Sequence, residues 1–162
     1  MNTAEGLAAS RGAGSVLPGR EVPAAGGGSG QNRLRRLSPD ECFDLLEPGG
    51  VGRVGFAAAD GIIMLPVNFA VTRKTIVFRT APDTLLAVYA DAPVGFEADY
   101  LDEARREGWS VLVGGHAHMV TDEREVQHLE DTTCLEPWAA GSRDVYVRII
   151  PARISGRSIE PL

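Results

Sequence analysis

The sequence predicts a mainly β protein, an antiparallel sheet closed or nearly closed into a barrel with three short helices on its flanks. Three observations carry this. Short β-branched runs follow one another with hairpin signals such as Asp60-Gly61 between them, the segment from Pro93 to Tyr100 alternates strictly between apolar and polar, and no regular strand-helix-strand alternation or internal repeat points to a parallel sheet.

At 162 residues with a hydrophobic share of 44%, the chain has the material for one domain, expected over residues 33–162. Residues 1–32 are dominated by Gly, Ala, Ser and Pro, with no aromatic side chain and only Leu7, Val16, Leu17 and Val22 as branched apolar ones. Such a segment cannot bury enough surface to offset its ordering entropy, so a disordered tail is expected.

The domain opens at Leu37-Ser-Pro-Asp-Glu41, where Ser38 caps, Pro39 suits the first helical position and Glu41 closes a capping box. A helix to Leu46 follows, and Pro48-Gly49-Gly50 ends it. Val51 to Ala58 reads as a strand whose small residues permit close backbone approach. Asp60-Gly61 then turns the chain into Ile62 to Val71, where Pro66 removes a ladder donor and marks a bulge, a sheet edge or a ligand-facing interruption. Thr75 to Thr80 is a third strand, and a helix is expected from Pro82 to Tyr89, burying Leu85 or Leu86 together with Tyr89. Pro93 to Tyr100 places Val94, Phe96, Ala98 and Tyr100 on one face and Glu97 and Asp99 on the other. Trp109 to Val120 is a long strand that Gly114 and Gly115 can bend. Asp122 and Glu125 form a capping pair for a helix to Glu130, and strands at Asp144 to Ile150 and Ala152 to Ile159 close the list.

The formal charge of −6 argues against nucleic acid and anionic membranes as partners, which need a basic field; Arg33, Arg35 and Arg36 read as a solvated domain edge. No apolar run is long enough to span a bilayer and no signal-peptide pattern is present, so a cytoplasmic location is expected. Cys42 and Cys134 lie far apart in apparently helical contexts and read as small buried or half-buried residues.

The stretch Ile76 to Tyr89 joins a strand to a helix start through a turn bearing Arg79, Thr80 and Thr84. Unpaired N–H groups and the positive end of a helix dipole favour a phosphate there, and the guanidinium and hydroxyls can close around it. Asp83 satisfies the same dipole and repels an anion, so a capped strand-to-helix connection is the equal alternative. His116 and His118 project from one face of a strand and present two nitrogens, but no third ligand is fixed by spacing, and no metal is expected. Trp109 and Ser110 point to opposite sheet faces, the first toward core or interface and the second free to donate to a ligand. Trp138 in its loop either lids a planar ligand or plugs the barrel end. Gly-x-Ser-x-Gly and a Walker loop are absent.

Five motifs occur in a telling order: Leu46-Glu-Pro-Gly-Gly-Val-Gly-Arg-Val-Gly-Phe56, Leu65-Pro-Val-Asn-Phe69, Phe78-Arg-Thr-Ala-Pro82, Gly108-Trp-Ser-Val-Leu-Val-Gly114 and Arg153-Ile-Ser-Gly-Arg157. Together they resemble the pyridoxamine 5′-phosphate oxidase-like, flavin-binding split-barrel proteins, especially the nitroimidazole-resistance branch, over nearly all of Leu34 to Leu162. The resemblance implies a six-stranded antiparallel split β-barrel that forms a homodimer and binds FMN in a cleft between subunits. It further implies phosphate contacts from Arg79, Thr80 and Thr84, ring contacts from Pro66, Val67 and Asn68, an approach from the neighbouring subunit by Trp109 and Ser110, and a distal aromatic at Trp138. Where relatives carry Gly and Lys in the Thr-Ala-Pro-Gly-Ser-Lys type of turn, this chain has Asp83 and Leu85.

The implied function is an FMN-dependent oxidoreductase passing electrons from a reduced nicotinamide to a small organic acceptor, with no residue assigned as catalytic acid or base. Two alternatives stand beside it: a deazaflavin-coenzyme-binding reductase in the same fold, and a non-enzymatic dimeric binding module that has lost its flavin.

Overall fold

The computed structural model describes residues 32–138 and 140–162. The tail expected over 1–32 lies outside them except for Asn32, which begins a strand. In chain order the elements are β1 (Asn32–Leu37), α1 (Pro39–Leu46), β2 (Gly50–Ala58), β3 (Gly61–Thr72), β4 (Thr75–Thr80), α2 (Leu85–Val88), β5 (Pro93–Asp102), β6 (Glu107–Met119), α3 (Glu123–Thr132) and β7 (Val145–Pro161).

All strand pairings are antiparallel, in the order β1-β7-β4-β3-β2-β5-β6, and β6 pairs back onto β7. The ring therefore closes through six strands, as expected, and β1 is a seventh laid along β7 beyond the end of β4. β7 makes this possible by its length: Val145 to Ile149 pairs with β4, while Gly156 to Pro161 pairs with β1. The expectation of two separate final strands is corrected, because Pro151 does not break the strand. Between Gly114↔Arg153 and Gly115↔Pro151 the register slips by one residue, so Ala152 bulges and Pro151 is accommodated. A Cβ on Gly115 would stand 2.3 Å from the Ile150 carbonyl oxygen.

Inside the ring lie Val54, Phe56, Val67, Phe69, Ile76, Phe78, Phe96, Val111, Val113, Val147 and Ile149. Phe96 meets Phe69 edge to face at 4.9 Å. Gly52 is required by this packing, because a Cβ there would fall 2.4 Å from the Phe96 ring. The alternation of β5 holds for Val94, Phe96 and Ala98, whereas Tyr100 is exposed where the strand runs past the core. On the outer face Arg53 bonds Glu97 at 3.0 Å and Asp99 at 2.9 Å. α3 covers the outside of β4 and β7 through Leu129, Val77 and Tyr146.

α1 starts as predicted, with Ser38 Oγ accepting from the Glu41 N–H and Glu41 accepting from the Ser38 N–H. Asp122 caps α3, but Glu125 bonds Arg148 instead of completing a box. Cys42 is buried, and Cys134 is exposed just past the end of α3. Among the described residues no helix is long and apolar enough to cross a membrane.

Candidate functional site

β4 enters the core with Ile76, Val77 and Phe78 buried and delivers Arg79 and Thr80 to the end of the barrel. The Arg79 guanidinium lies 5.1 Å from the Tyr146 ring centre, its Nε donates to the Arg143 carbonyl at 2.8 Å, and its Nη2 is 3.7 Å from Asp144. The last distance is too long for a hydrogen bond, so the Nη groups keep donor capacity for an anion. Burial pushes the Tyr146 phenol up while the Arg79 charge pulls it down, and a neutral ring stays beneath the cation.

Thr80 is fully buried and its hydroxyl lies 2.6 Å from that of Thr84. Thr84 donates to the Ala81 carbonyl at 2.8 Å, so its oxygen accepts from Thr80 and, at 3.4 Å, from the Ala87 N–H. Both hydroxyl protons are thus used within the turn, which makes these threonines positioning groups. The start of α2 also differs from expectation. The helix begins at Leu85 instead of Pro82 and has only four residues, Thr84 is its cap, and the Ala87 and Val88 N–H groups return to the Thr84 carbonyl. Asp83 therefore precedes the cap. Leu86 and Tyr89 pack on the core, Tyr89 stacking on Phe56 at 4.5 Å, while Leu85 is half exposed.

β3 pairs with β2 along Gly61 to Phe69, but with β4 only from Phe69 to Thr72. Among the described residues its other edge from Gly61 to Asn68 has no strand partner, so Pro66 sits at a sheet edge, one of the alternatives read from sequence. Val67 points into the core, leaving its backbone to the edge. Asn68 Oδ1 accepts from the Trp138 N–H at 3.0 Å, and both residues line a hollow of about 460 Å³ with Gly49, Ala70 and Cys134. Trp138 is 81% exposed over it, so it does not plug the barrel.

Trp109 and Ser110 lie elsewhere, in a hollow of about 240 Å³ with Leu34, Leu101, Arg157 and Ile159. Trp109 packs partly on the core. One chain therefore gathers the expected residues in three places: Arg79 with Thr80 and Thr84, Asn68 with Trp138 beside Pro66 and Val67, and Trp109 with Ser110.

Two features escaped the sequence. Ile62, Met64 and Leu112, exposed by 79%, 56% and 50%, border a third hollow of about 430 Å³ with Gly55, Gly95 and Arg153. Their exposure breaks no local pattern, and only the fold shows them as one patch. Asp91 comes to His116 and His118 with all three donor atoms within 4.8 Å of one another. Sequence spacing fixed the histidine pair and gave no signal for the carboxylate.

A six-strand closed ring with a further strand along β7, its β3 edge open among the described residues next to the turn that carries Arg79, defines a split-barrel protein. The family model described as pyridoxamine 5′-phosphate oxidase matches residues 38–158, and the chain belongs to that family. An uncharacterised Mycobacterium tuberculosis protein, Rv0080, is 36% identical over 126 residues, which cover 74% of this chain and 82% of the relative. The solved structure of an FAD binding protein from Mycobacterium smegmatis is 35% identical with a TM-score of 0.65, covering 77% of this chain and 98% of that one. A Corynebacterium glutamicum structure bearing a provisional pyridoxamine 5′-phosphate oxidase name is 33% identical with a TM-score of 0.70, covering 80% and 96%.

Proposed function

We propose that this chain is a flavin-dependent oxidoreductase that holds the FMN moiety of its cofactor at the β4 end of the barrel and works as a homodimer. Arg79 carries the reading: it is a fixed cation whose Nη groups have donor capacity left for a phosphate. The 35% identical relative described as FAD binding supports a flavin, and FMN is the half that FMN and FAD share.

The chain's own residues would act as follows. Arg79 binds the phosphate, Thr80 and Thr84 hold the turn in shape, and the free β3 edge at Pro66 and Val67 offers backbone to the ring, with Trp138 and Asn68 as its distal boundary. When bound, the flavin supplies hydride acceptance from a reduced nicotinamide and electron transfer to a small organic acceptor. Trp109 and Ser110 are remote from Arg79 within one chain, which supports their contribution from a second copy. The exposed apolar patch at Ile62, Met64 and Leu112 gives such a copy a surface to cover. The −6 charge supports a reading without nucleic-acid or anionic-membrane partners, and a cytoplasmic setting is part of the same proposal.

A specific observation favours a second reading, a dimeric binding module without flavin: the turn's hydroxyl protons are already used and Asp83 and Leu85 replace the residues of relatives. Purification after expression with ample riboflavin separates the two. A yellow protein whose acid-released cofactor runs as FMN or FAD, and whose flavin content falls in Arg79→Ala, is the expected result; a released deazaflavin assigns the alternative coenzyme. A colourless dimer that neither binds added FMN or FAD nor gains thermal stability from either overturns the proposal.

A further inference from the structure

The geometry points to a metal site nothing in the flavin reading requires: Asp91, His116 and His118 form a three-ligand site for a divalent transition-metal ion, with zinc as its representative. The site stands on the outside of the barrel, on the second half of β6 and the α2–β5 connection.

The backbone builds it before any side chain acts. Ala117 is buried at 2% exposure, so its neighbours His116 and His118 must leave β6 on the outer face, and their rings stack with centres 4.7 Å apart. Asp91 is fixed between two anchors. Ala90 on one side is buried, and on the other the Ala117 N–H donates to the Ala92 carbonyl at 2.9 Å, pinning the connection against β6. The carboxylate consequently meets His118 Nδ1 at 3.2 Å.

An aspartate–histidine contact alone is an ordinary surface pair. The third donor changes its chemistry. His116 Nδ1 lies 3.0 Å from the Ala117 carbonyl oxygen, which can only accept, so Nδ1 carries the proton and Nε2 keeps its lone pair. A carbonyl holding the far nitrogen of a ligating histidine is the usual outer arrangement at metal sites. Donor atoms within 4.8 Å of one another need to close to about 3.3 Å for tetrahedral zinc, a change that side-chain rotation supplies where Asp91 is 82% exposed. The ion takes the place of the proton between His118 and Asp91, and that proton goes to solvent.

Two imidazole nitrogens with one carboxylate select zinc-like ions over calcium or magnesium, which prefer all-oxygen shells. One positive charge remains after the carboxylate, and open positions are left for water or an anionic group. Arg148 stands opposite His118 on β7, but its guanidinium is paired with Glu125 and its charge is met there.

The test uses the full chain, freed of any affinity tag and treated with chelator, titrated with Zn²⁺ by calorimetry and with Co²⁺ by visible absorption. One ion per chain is expected, with binding weakened at least about tenfold in His116→Ala, His118→Ala and Asp91→Asn and unchanged in His128→Ala. Urea midpoints measured alongside show that each variant is folded, and flavin content read in the same samples separates this site from the cofactor site. No binding of either ion, full-strength binding in His118→Ala, equal loss in His128→Ala, or one ion per two chains overturns the assignment.

Discussion

The hydroxyl of Thr80, fully buried at the end of β4, lies 2.6 Å from that of Thr84, which caps α2. Because Thr84 gives its proton to Ala81, Thr80 depends on Thr84 for an acceptor. Thr84→Val should therefore cost more than Thr80→Val. The first strands a buried hydroxyl and removes a cap, about 2 to 3 kcal/mol together, whereas the second removes the dependent group and costs about 1 kcal/mol or less. Urea midpoints of the two variants decide it, with Thr84→Ser expected near wild type.

How much of this was legible beforehand differs by element. α1 and the β2–β3 hairpin are written in local chemistry: the capping box stands where the sequence places it, while the chain turns at Ala59-Asp60, because Gly61 pairs with Ala58 and already opens β3. β1 has no local signal, because Asn32 to Leu37 lacks apolar alternation and its strand state comes from backbone pairing with β7 more than a hundred residues on. Pro82 predicts a helix start for α2 that the Thr84 hydroxyl, capping two residues later, moves to Leu85. Site residues were legible as types and not as neighbours. Asn68 and Trp138 meet only because the loop before β7 folds back over β3, and Asp91 reaches the histidines through a backbone bond no motif encodes.

Leu85 is half exposed at the first position of α2. Leu85→Lys adds a cation next to the proposed phosphate position and should tighten FMN binding by about tenfold, near 1.4 kcal/mol, with Asp83→Gly acting in the same direction. Fluorescence titration of flavin into the stripped protein measures both. Unchanged affinity in Leu85→Lys would show that Arg79 suffices as the cation.

Gly52 and Gly55 both lie on β2, yet only Gly52 lies against a ring. A methyl there meets Phe96 at 2.4 Å and the Glu97 carbonyl at 2.9 Å, whereas at Gly55 the nearest atom is Met64 Cγ at 3.5 Å. Gly52→Ala should destabilise by about 1 to 3 kcal/mol through overpacking, and Gly55→Ala by less than about 0.5 kcal/mol. Equal urea midpoints for the two would refute the close approach.

Glu41 links acid stability to the start of the domain. Its carboxylate accepts from the Ser38 N–H and is also bonded by Arg35, and these contacts, the backbone one foremost, lower its pKa from 4.5 to about 2. Arg35 reaches Glu160 at 2.9 Å as well, and Glu160 is lowered too, chiefly by the Ser158 hydroxyl. A depressed folded pKa means that the unfolded chain binds the proton first. The stabilisation is then complete above the unfolded value of 4.5 and is lost as pH falls toward 2. Glu41→Gln lacks this titration, so its urea midpoint should fall less steeply across that window than the wild type's, while lying below it at neutral pH. Parallel curves for the two proteins would place the acid sensitivity elsewhere, with Glu160→Gln the next variant to measure.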